Sequence, residues 1–346
     1  MPDLMAETVA KALKLRVPLS VHLDLTYRCN QDCIHCYVDH TGTNELPTGE
    51  VLSVLDQLAE AGSFFLIFSG GEPFVRPDIF EIITHARSLH FQVSVKSNGV
   101  LIGEREAKRL SDLHVANVCI SIYSHRAEVH DAITQVPGSL ERSLKAVRLL
   151  RSHAIKVRIV NIVMASNRTD YPGVKALAAG LGADFSIDPT ITPHMSHECS
   201  LAELRLPQED LSRIVRDASL VARPEEFCAP APLVSREILD EIPCSAGHTA
   251  CYISPSGKVY PCVQFPLLAG DLRQQRFLDI WRRSPQLESL RLVHNRDLPR
   301  CSACRHLPIC SRCPGLAYME GDLRGISSLD CEKSEARSGL PAGPTA

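Results

Sequence analysis

The chain has 346 residues, of which 45% are hydrophobic, so it can bury one large core or a core with a smaller lobe. Its 37 Lys and Arg residues nearly balance its 40 Asp and Glu residues, which argues against a polybasic nucleic-acid binder and an acidic disordered chain. No uncharged apolar run approaches the roughly 18 residues that cross a bilayer. Residues 1–20 lack the apolar segment of a secretory signal. We therefore expect a cytoplasmic protein with neither nucleic-acid nor membrane partners.

Strand-like and helix-like segments alternate along the first half of the chain. Strands are predicted at 21–27, 64–68, 91–96, 117–122, 156–163 and 183–187. Helices are predicted near 48–61, 78–90, 104–112, 139–153 and 172–181. This alternation is typical of a parallel sheet with covering helices. Because six units are too few for a closed eight-stranded barrel, we expect an α/β fold, a partial (β/α)6 barrel of parallel strands.

The second half of the chain is less periodic. Up to residue 243 it is Pro-rich, with one helix predicted near 207–221. Beyond residue 243 we predict a hairpin around Ser256-Gly257 and a helix over 276–291 that buries Trp281. The last residues are small and polar and are expected to be disordered. The predicted regions are an N-terminal extension 1–20, the barrel core 21–190, a connector 191–243, a small cysteine-rich domain 244–332 and a disordered tail 333–346.

The 14 cysteines are the strongest compositional signal. Without an export signal they indicate metal binding rather than disulfide bonds, because a cytosol keeps thiols reduced. Three form the motif Cys29-x3-Cys33-x2-Cys36, and eight lie between residues 244 and 331. The remaining three stand alone, and they are Cys119, Cys199 and Cys228.

Three thiolates on one loop can bind three irons of a four-iron four-sulfur cluster and leave the fourth iron open to a ligand. The alternative is a zinc site in which His35 or His40 completes the ligands. The motif follows the first predicted strand, and the turn Gly70-Gly71-Glu72-Pro73 follows the second. Both therefore lie at the carboxyl edge of the sheet, where α/β enzymes place their active sites.

These features resemble the radical S-adenosylmethionine (SAM) superfamily over roughly residues 17–190. The resemblance implies that Cys29, Cys33 and Cys36 bind a cluster whose open iron chelates the amino and carboxylate groups of SAM. This chain departs from the usual pattern because His35 stands before the third cysteine, where the family usually has an aromatic residue, while Tyr37 follows it.

The same resemblance implies a set of SAM-binding positions. The glycine turn would receive the methionine amino group, with Glu72 offsetting its charge. The positions concerned are Gly70, Gly71, Glu72, Pro73, Asn98, Ser121 and Asn161. By itself, Asn98-Gly99 would be read as a turn.

The eight C-terminal cysteines make two complete sets of four, and two structural zinc sites are the alternative reading. Their spacing is Cys244-x6-Cys251-x10-Cys262, then Cys301-x2-Cys304-x5-Cys310-x2-Cys313, and Cys331. This pattern resembles the SPASM domain over about 240–332, although the last spacing of the run is x2 where the family has x3. The resemblance implies auxiliary cluster I on Cys244, Cys251, Cys262 and Cys313. It implies auxiliary cluster II on Cys301, Cys304, Cys310 and Cys331, and hence three 4Fe-4S clusters in total.

The resemblance further implies a radical SAM oxidoreductase that cleaves S-adenosyl-L-methionine to a 5′-deoxyadenosyl radical and takes a hydrogen from its substrate. SPASM members commonly modify ribosomally made peptides by oxidation, cross-linking or epimerisation, and some act on small molecules such as amino acid derivatives. Sulfatase-maturing members have an Asp after the position of Cys262, and Val263 here disfavours that activity. The alternative of another class is a zinc- or cluster-binding structural protein without catalysis.

Partners and the isolated cysteines follow from the same interpretation. We expect a low-potential electron donor, a flavodoxin or ferredoxin. Since only about 20 residues precede the first strand, a leader peptide would be held by a separate protein or by the enzyme surface. Cys119 is expected to be inert core, whereas Cys199 and Cys228 in the connector are candidate hydrogen-atom donors. His194 and His197 are expected to be ordinary loop residues.

Overall fold

The protein is described by a computed structural model that covers residues 4–40, 44–192, 202–220, 233–339 and 343. Nine strands in this part of the chain form a single sheet. They are β1 (Ser20–Thr26), β2 (Phe65–Gly70), β3 (Gln92–Ser97), β4 (Asn117–Ser121), β5 (Val157–Ile162), β6 (Asp184–Asp188), β7 (Ala250–Ile253), β8 (Lys258–Tyr260) and β9 (Gly270–Asp271). Their spatial order is β6-β5-β4-β3-β2-β1-β7-β8-β9.

Helices connect and cover these strands. Those of the first half are α1 (Leu4–Leu15), α2 (Thr48–Glu60), α3 (Ile79–Ser88), α4 (Glu104–Asp112), α5 (Ala127–Thr134), α6 (Ser139–Ser152) and α7 (Tyr171–Gly180). Those of the second half are α8 (Gln208–Val215), α9 (Arg236–Asp240), α10 (Phe277–Arg283), α11 (Pro285–Arg291), α12 (Pro314–Met319) and α13 (Ser328–Ser338). No helix in the described ranges has the length and apolar character that a membrane span requires.

The six strands β1 to β6 pair in parallel and in chain order, which confirms the predicted α/β fold with its parallel sheet. One face of the sheet packs on the helices, and α2 buries Val51, Val54, Leu55 and Leu58, one stripe of its surface, against that core. The other face is more polar. Along β3, Val93 and Val95 are fully buried on the helix side while Lys96 is exposed, so alternate residues are left to line an open site.

The C-terminal hairpin extends this same sheet. The predicted turn at Ser256-Gly257 is confirmed, since β7 and β8 pair antiparallel across it. In addition β7 pairs parallel with β1, so that Val21 lies opposite Cys251. The barrel strands and the cysteine-rich region are therefore joined by backbone hydrogen bonds. The sequence contains no pattern that identifies which edge strand a short hairpin will join.

Three local expectations differ from the structure. The predicted helix over 276–291 is two helices, because Pro285 lacks the N–H that a continuous helix needs and begins α11 instead. The tail expected to be disordered from 333 is helical through Ser338, and Ser334 and Ala336 are buried. Helix α5 lies in a stretch where no element was predicted.

Candidate active site

A cavity of about 210 Å³ lies where the carboxyl ends of β1 to β5 meet. Its wall includes all three cysteines of the N-terminal motif, which are Cys29, Cys33 and Cys36. The loops and ends of the neighbouring strands contribute Gly70, Gly71, Asn98 and Ser121. The fold therefore brings the CxxxCxxC motif, the glycine turn and two further predicted residues around one space.

The two glycines allow the turn after β2 to contact the cysteine loop. The Gly71 amide donates to the Thr26 carbonyl at 2.8 Å. A Cβ atom on Gly70 would lie 2.1 Å from the Thr26 oxygen, and one on Gly71 would lie 2.4 Å from the Arg28 oxygen. Gly70 also has φ +129°, which L side chains rarely adopt. The close approach that glycine permits is thus between two loops, and it sets the position of the cysteines.

The three thiols are partly shielded from solvent. Burial raises the pKa of Cys29 to about 11, and burial together with the neighbouring thiols of Cys36 and Cys29 raises that of Cys33 to about 12. Burial also raises the pKa of Cys36. The protein alone therefore favours protonated thiols, and a bound metal must displace their protons to be coordinated.

His40 lies beside this motif, with Nε2 3.2 Å from the Cys36 Sγ atom, so one of the two histidines considered for a zinc site does reach a cysteine. Even so, no three His, Cys, Asp or Glu side chains in the described ranges gather closely enough to hold one metal ion. The three thiols line the wall of one cavity. The arrangement gives no support to a single-zinc site here.

Two buried polar atoms at the cavity lack partners within the described part of the protein. They are Gln31 Nε2 and His35 Nδ1, and both side chains line the cavity. A buried polar atom is costly unless it is hydrogen-bonded. Three soft sulfur ligands and spare hydrogen-bonding groups fit an iron–sulfur cluster with a polar ligand, so the residues present suit that group.

Glu72 does not face the cavity. Its carboxylate is fully buried and accepts hydrogen bonds from Ser97 Oγ at 2.9 Å, from the Asn98 amide at 2.8 Å and from the Phe74 amide at 3.1 Å. Burial raises its pKa to about 7, and these hydrogen bonds oppose the rise. The carboxylate therefore ties the end of β2 to the end of β3. Its expected role in offsetting the charge of the SAM ammonium stays a prediction.

Asn98 connects that link to the cysteines. Its Nδ2 donates to Asn30 Oδ1 at 2.7 Å and lies 3.8 Å from the Cys29 Sγ atom, while its Oδ1 accepts from the Val100 amide at 2.9 Å. The side chain thus shapes its own turn and also holds the cysteine loop.

Tyr123, two residues after Ser121, was missed by the sequence interpretation. It lines the cavity, and its ring packs edge-on against His35 with centroids 4.7 Å apart. On its other side it stacks on His130 at 5.4 Å. Tyr123 lies two residues after Ser121, and side chains at that spacing in an extended segment share a face. This spacing is the sequence signal that could have identified it.

Cys119 corrects another expectation. It was expected to be inert core, but it is half-buried and lines the cavity. Lys96 of β3 lies opposite it in the strand register. Strand alternation puts Cys119 on the open face while Val118 and Ile120 face the core.

The structure also gathers the C-terminal cysteines into two groups. In the first, burial raises the pKa of Cys262, and the nearby thiol of Cys244 raises it further. Cys262 in turn adds to the burial-driven rise in pKa of Cys251 and Cys313. One thiol thus lies near the other three of its group.

The second group shows the same pattern. Burial raises the pKa of Cys331 to about 11, and the nearby thiols that contribute to this rise belong to Cys310, Cys301 and Cys304. Burial also raises the pKa of Cys310, and the thiols of Cys301 and Cys304 contribute to that rise. These are the same two sets of four that the resemblance implied, and their role as ligands stays a prediction.

Comparison with known protein families gives two matches. The radical SAM superfamily model matches residues 23–172. The SPASM model, an iron-sulfur cluster-binding domain, matches residues 244–314. This chain belongs to the radical SAM superfamily. Its C-terminal region is a SPASM domain, and the two domains imply 4Fe-4S clusters and SAM as cofactors.

Individual relatives and solved structures agree with this membership. The chain is 29% identical to the AdoMet-dependent heme synthase of Methanosarcina barkeri over 87% of this chain and 92% of that one. It is also 29% identical to the mycofactocin maturase of Mycobacterium tuberculosis, over 86% and 78% of the two chains. The crystal structure of Streptococcus suis SuiB bound to the precursor peptide SuiA superimposes with a TM-score of 0.74 at 18% identity, covering 94% of this chain and 79% of that chain. This likeness shows a shared fold.

The radical SAM residues expected from sequence divide into two sets. Gly70, Gly71, Asn98 and Ser121 line the cavity. Glu72, Pro73 and Asn161 are buried behind its wall, where Asn161 Nδ2 donates to the Ile122 carbonyl at 2.7 Å. The candidate hydrogen donors Cys199 and Cys228, with His194 and His197, lie outside the described residues.

Proposed function

We propose that this radical SAM protein is an enzyme that reductively cleaves SAM and abstracts a hydrogen atom from a substrate, of which a ribosomally made peptide is the first candidate. A four-iron cluster with bound SAM supplies a 5′-deoxyadenosyl radical for this step. The supporting observation is the single cavity that brings together the three motif cysteines, the glycine turn and Asn98.

The residues of the chain would bind and orient the reactants. Cys29, Cys33 and Cys36 would hold the cluster, and Asn98 fixes the loop on which they lie. Val160 and Ile162 form an apolar part of the wall, which limits water near a reactive radical. Ser121 offers a hydroxyl at the end of β4 for a polar part of SAM.

The eight SPASM cysteines would hold two auxiliary 4Fe-4S clusters, with Cys244, Cys251, Cys262 and Cys313 on one and Cys301, Cys304, Cys310 and Cys331 on the other. Four thiolates on each leave no iron open, so these sites suit electron transfer and structural roles. With the first cluster, the protein would carry three clusters and draw electrons from a flavodoxin or ferredoxin.

Two relatives, named as a maturase and as a bacteriocin biosynthesis protein, support a peptide substrate. The first is the mycofactocin maturase. The second is the antilisterial bacteriocin subtilosin biosynthesis protein of Bacillus subtilis, to which the chain is 27% identical over 93% of its length. A small molecule is the second candidate. The heme synthase relative favours a small-molecule substrate. The alignment with this chain covers 92% of the heme synthase, compared with 78% of the mycofactocin maturase.

The mass of a candidate peptide after anaerobic turnover in deuterated water distinguishes these outcomes. The candidates are short peptides encoded beside the gene, and the enzyme is reconstituted, reduced and given SAM. Loss of two hydrogens would indicate oxidation or a cross-link, and a gain of about one mass unit would indicate epimerisation with a solvent-exchangeable donor. Unchanged peptides alongside SAM cleavage would contradict the peptide proposal and favour the small molecule. The matched control is the protein with Cys29→Ala, Cys33→Ala and Cys36→Ala.

A further inference from the structure

We propose that Lys96 is a carboxylate-binding residue of the reaction cavity. This inference rests on the proposed function, since it deepens the description of the same site. The carboxylate would belong either to the methionine part of SAM or to the substrate.

The position of Lys96 follows from strand geometry. It lies on β3, opposite Cys119 of β4, and both side chains line the cavity. The neighbouring residue Ser97 is buried at the cavity wall, and its hydroxyl donates to the Glu72 carboxylate. Lys96 is exposed, so its ammonium group reaches into the open space rather than into the core.

The charge of Lys96 is unbalanced where it lies. It is the one Lys or Arg that lines this cavity within the described ranges, and no Asp or Glu lines it there. No described carboxylate lies within the 4.0 Å of an ion pair with its ammonium. A lysine that lines a cavity without a carboxylate partner is suited to an anionic ligand.

Strand β1, two strands away from β3 in the sheet, carries a carboxylate that is already engaged. Asp24 on β1 is fully buried, and it accepts hydrogen bonds from Tyr252 Oη at 2.8 Å and from His22 Nε2 at 3.1 Å. Burial lowers the pKa of His22, and the charge of Lys96 lowers it further, so the ammonium lies close to this network without joining it.

The ammonium also lies toward the C-terminal region. Burial raises the pKa of Cys262, and the positive charge of Lys96 opposes that rise. Lys96 therefore shares a cavity with the N-terminal cysteines, and its charge also reaches one of the SPASM cysteines.

Binding measurements on the reconstituted holoenzyme test this role without requiring turnover. Calorimetry would compare SAM with decarboxylated SAM, which keeps the sulfonium, the amine and the nucleoside. Saturation-transfer NMR with SAM present would then compare N-acetylglycine, a minimal carboxylate, with N-acetylglycinamide. Each probe is used with wild type, Lys96→Met and Lys96→Arg. Lys156→Met is the matched control, because Lys156 is exposed and pairs with Asp184 at 3.3 Å outside this cavity.

If SAM supplies the carboxylate, Lys96→Met weakens the binding of SAM roughly 10- to 100-fold and leaves the binding of decarboxylated SAM unchanged. Lys96→Arg then retains much of the affinity for SAM that Lys96→Met loses. If the substrate supplies it, SAM binding is unchanged and the N-acetylglycine signal disappears only in Lys96→Met. Equal binding of every probe by wild type and Lys96→Met would overturn the inference. Failure of wild type to bind SAM would instead contradict the proposed function, and the inference with it.

Discussion

Ser97 donates a bifurcated hydrogen bond to Glu72, with its Oγ atom 2.9 Å and 3.0 Å from the two carboxylate oxygens. Ser97 lines the cavity at the end of β3, so the pair joins the turn after β2 to the end of β3. Glu72, the acidic residue of the Gly-Gly-Glu-Pro motif, also accepts a hydrogen bond from the Asn98 backbone amide at 2.8 Å. Glu72 thus positions Asn98. We expect its substitution to act through the shape of the cavity.

Glu72→Gln is expected to change how stability depends on pH. The pKa of Glu72 is about 7 in the folded protein, above its ordinary value of 4.5, so the folded state holds a proton that the unfolded chain releases. Wild-type stability therefore falls as pH rises from 4.5 to about 7. Relative to wild type, the variant should gain on the order of 1 kcal/mol between about pH 6 and 8. Denaturation of the anaerobic holoenzyme measures this difference, and a pH-independent difference would contradict it.

Gly71→Ala is expected to displace the cysteine loop. A Cβ atom there would lie 2.4 Å from the Arg28 oxygen and 2.6 Å from the Tyr27 oxygen, so backbone must move. The reconstituted variant should lose about four irons, those of the first cluster, while keeping the SPASM clusters. Gly49→Ala is the control, because nothing lies within 4 Å of its Cβ position. Full iron content and unchanged SAM binding in Gly71→Ala would show that the contact is not needed.

Tyr252→Phe is expected to destabilise the junction between the two domains. The Tyr252 hydroxyl bonds to Asp24 at 2.8 Å and to the Tyr27 hydroxyl at 2.8 Å, and removing it leaves a buried carboxylate with one partner fewer. The free energy of unfolding should fall by about 1–3 kcal/mol. Tyr318→Phe is the control, since that ring is partly exposed and packs on Phe265. Equal stability of the two variants would contradict this account.

Single cysteine substitutions should separate the SPASM sites. Cys262→Ala should weaken or remove one auxiliary cluster, and Cys331→Ala the other, each with a loss of up to about four irons. Double substitution of Cys262 and Cys331 should then lose about twice as many irons as either alone. A double variant that loses no more iron than one single variant would mean that the two cysteines serve the same cluster.

Much of the fold could be predicted from sequence because it depends on local patterns. Apolar runs such as 64–68 and 117–122 are bounded by turns and alternate with amphipathic helices, and this periodicity does not depend on distant residues. The break at Pro285 is also a local effect, because proline lacks the N–H that a continuous helix needs. The helical spacing of residues 276–291 led to the prediction of a single helix. The helix through residues 333–338 escaped prediction because it is held by burial of Ser334 and Ala336, which is a tertiary effect.

The site was predictable to a different extent. The cysteine motif and the glycine turn carry their chemistry in their spacing, and the cavity unites them. The exposure of Cys119 depends on which face of a strand meets the helices, and a shift by one residue reverses that face. The orientation of Glu72 depends on its contacts with Ser97 and Asn98, which are distant in sequence. The pairing of β7 with β1 depends on an edge strand left open by an incomplete barrel, which no local pattern specifies.

The most direct test of the account is detection of 5′-deoxyadenosine and methionine when the anaerobic, reconstituted and reduced protein is given SAM. The wild-type protein should release both products, because the cavity brings together the three motif cysteines, the glycine turn and Asn98. The protein with Ala at positions 29, 33 and 36 should release neither, although its SPASM region keeps its iron. Wild-type protein with full iron content that never forms 5′-deoxyadenosine, or equal formation by the triple variant, would contradict the central claim.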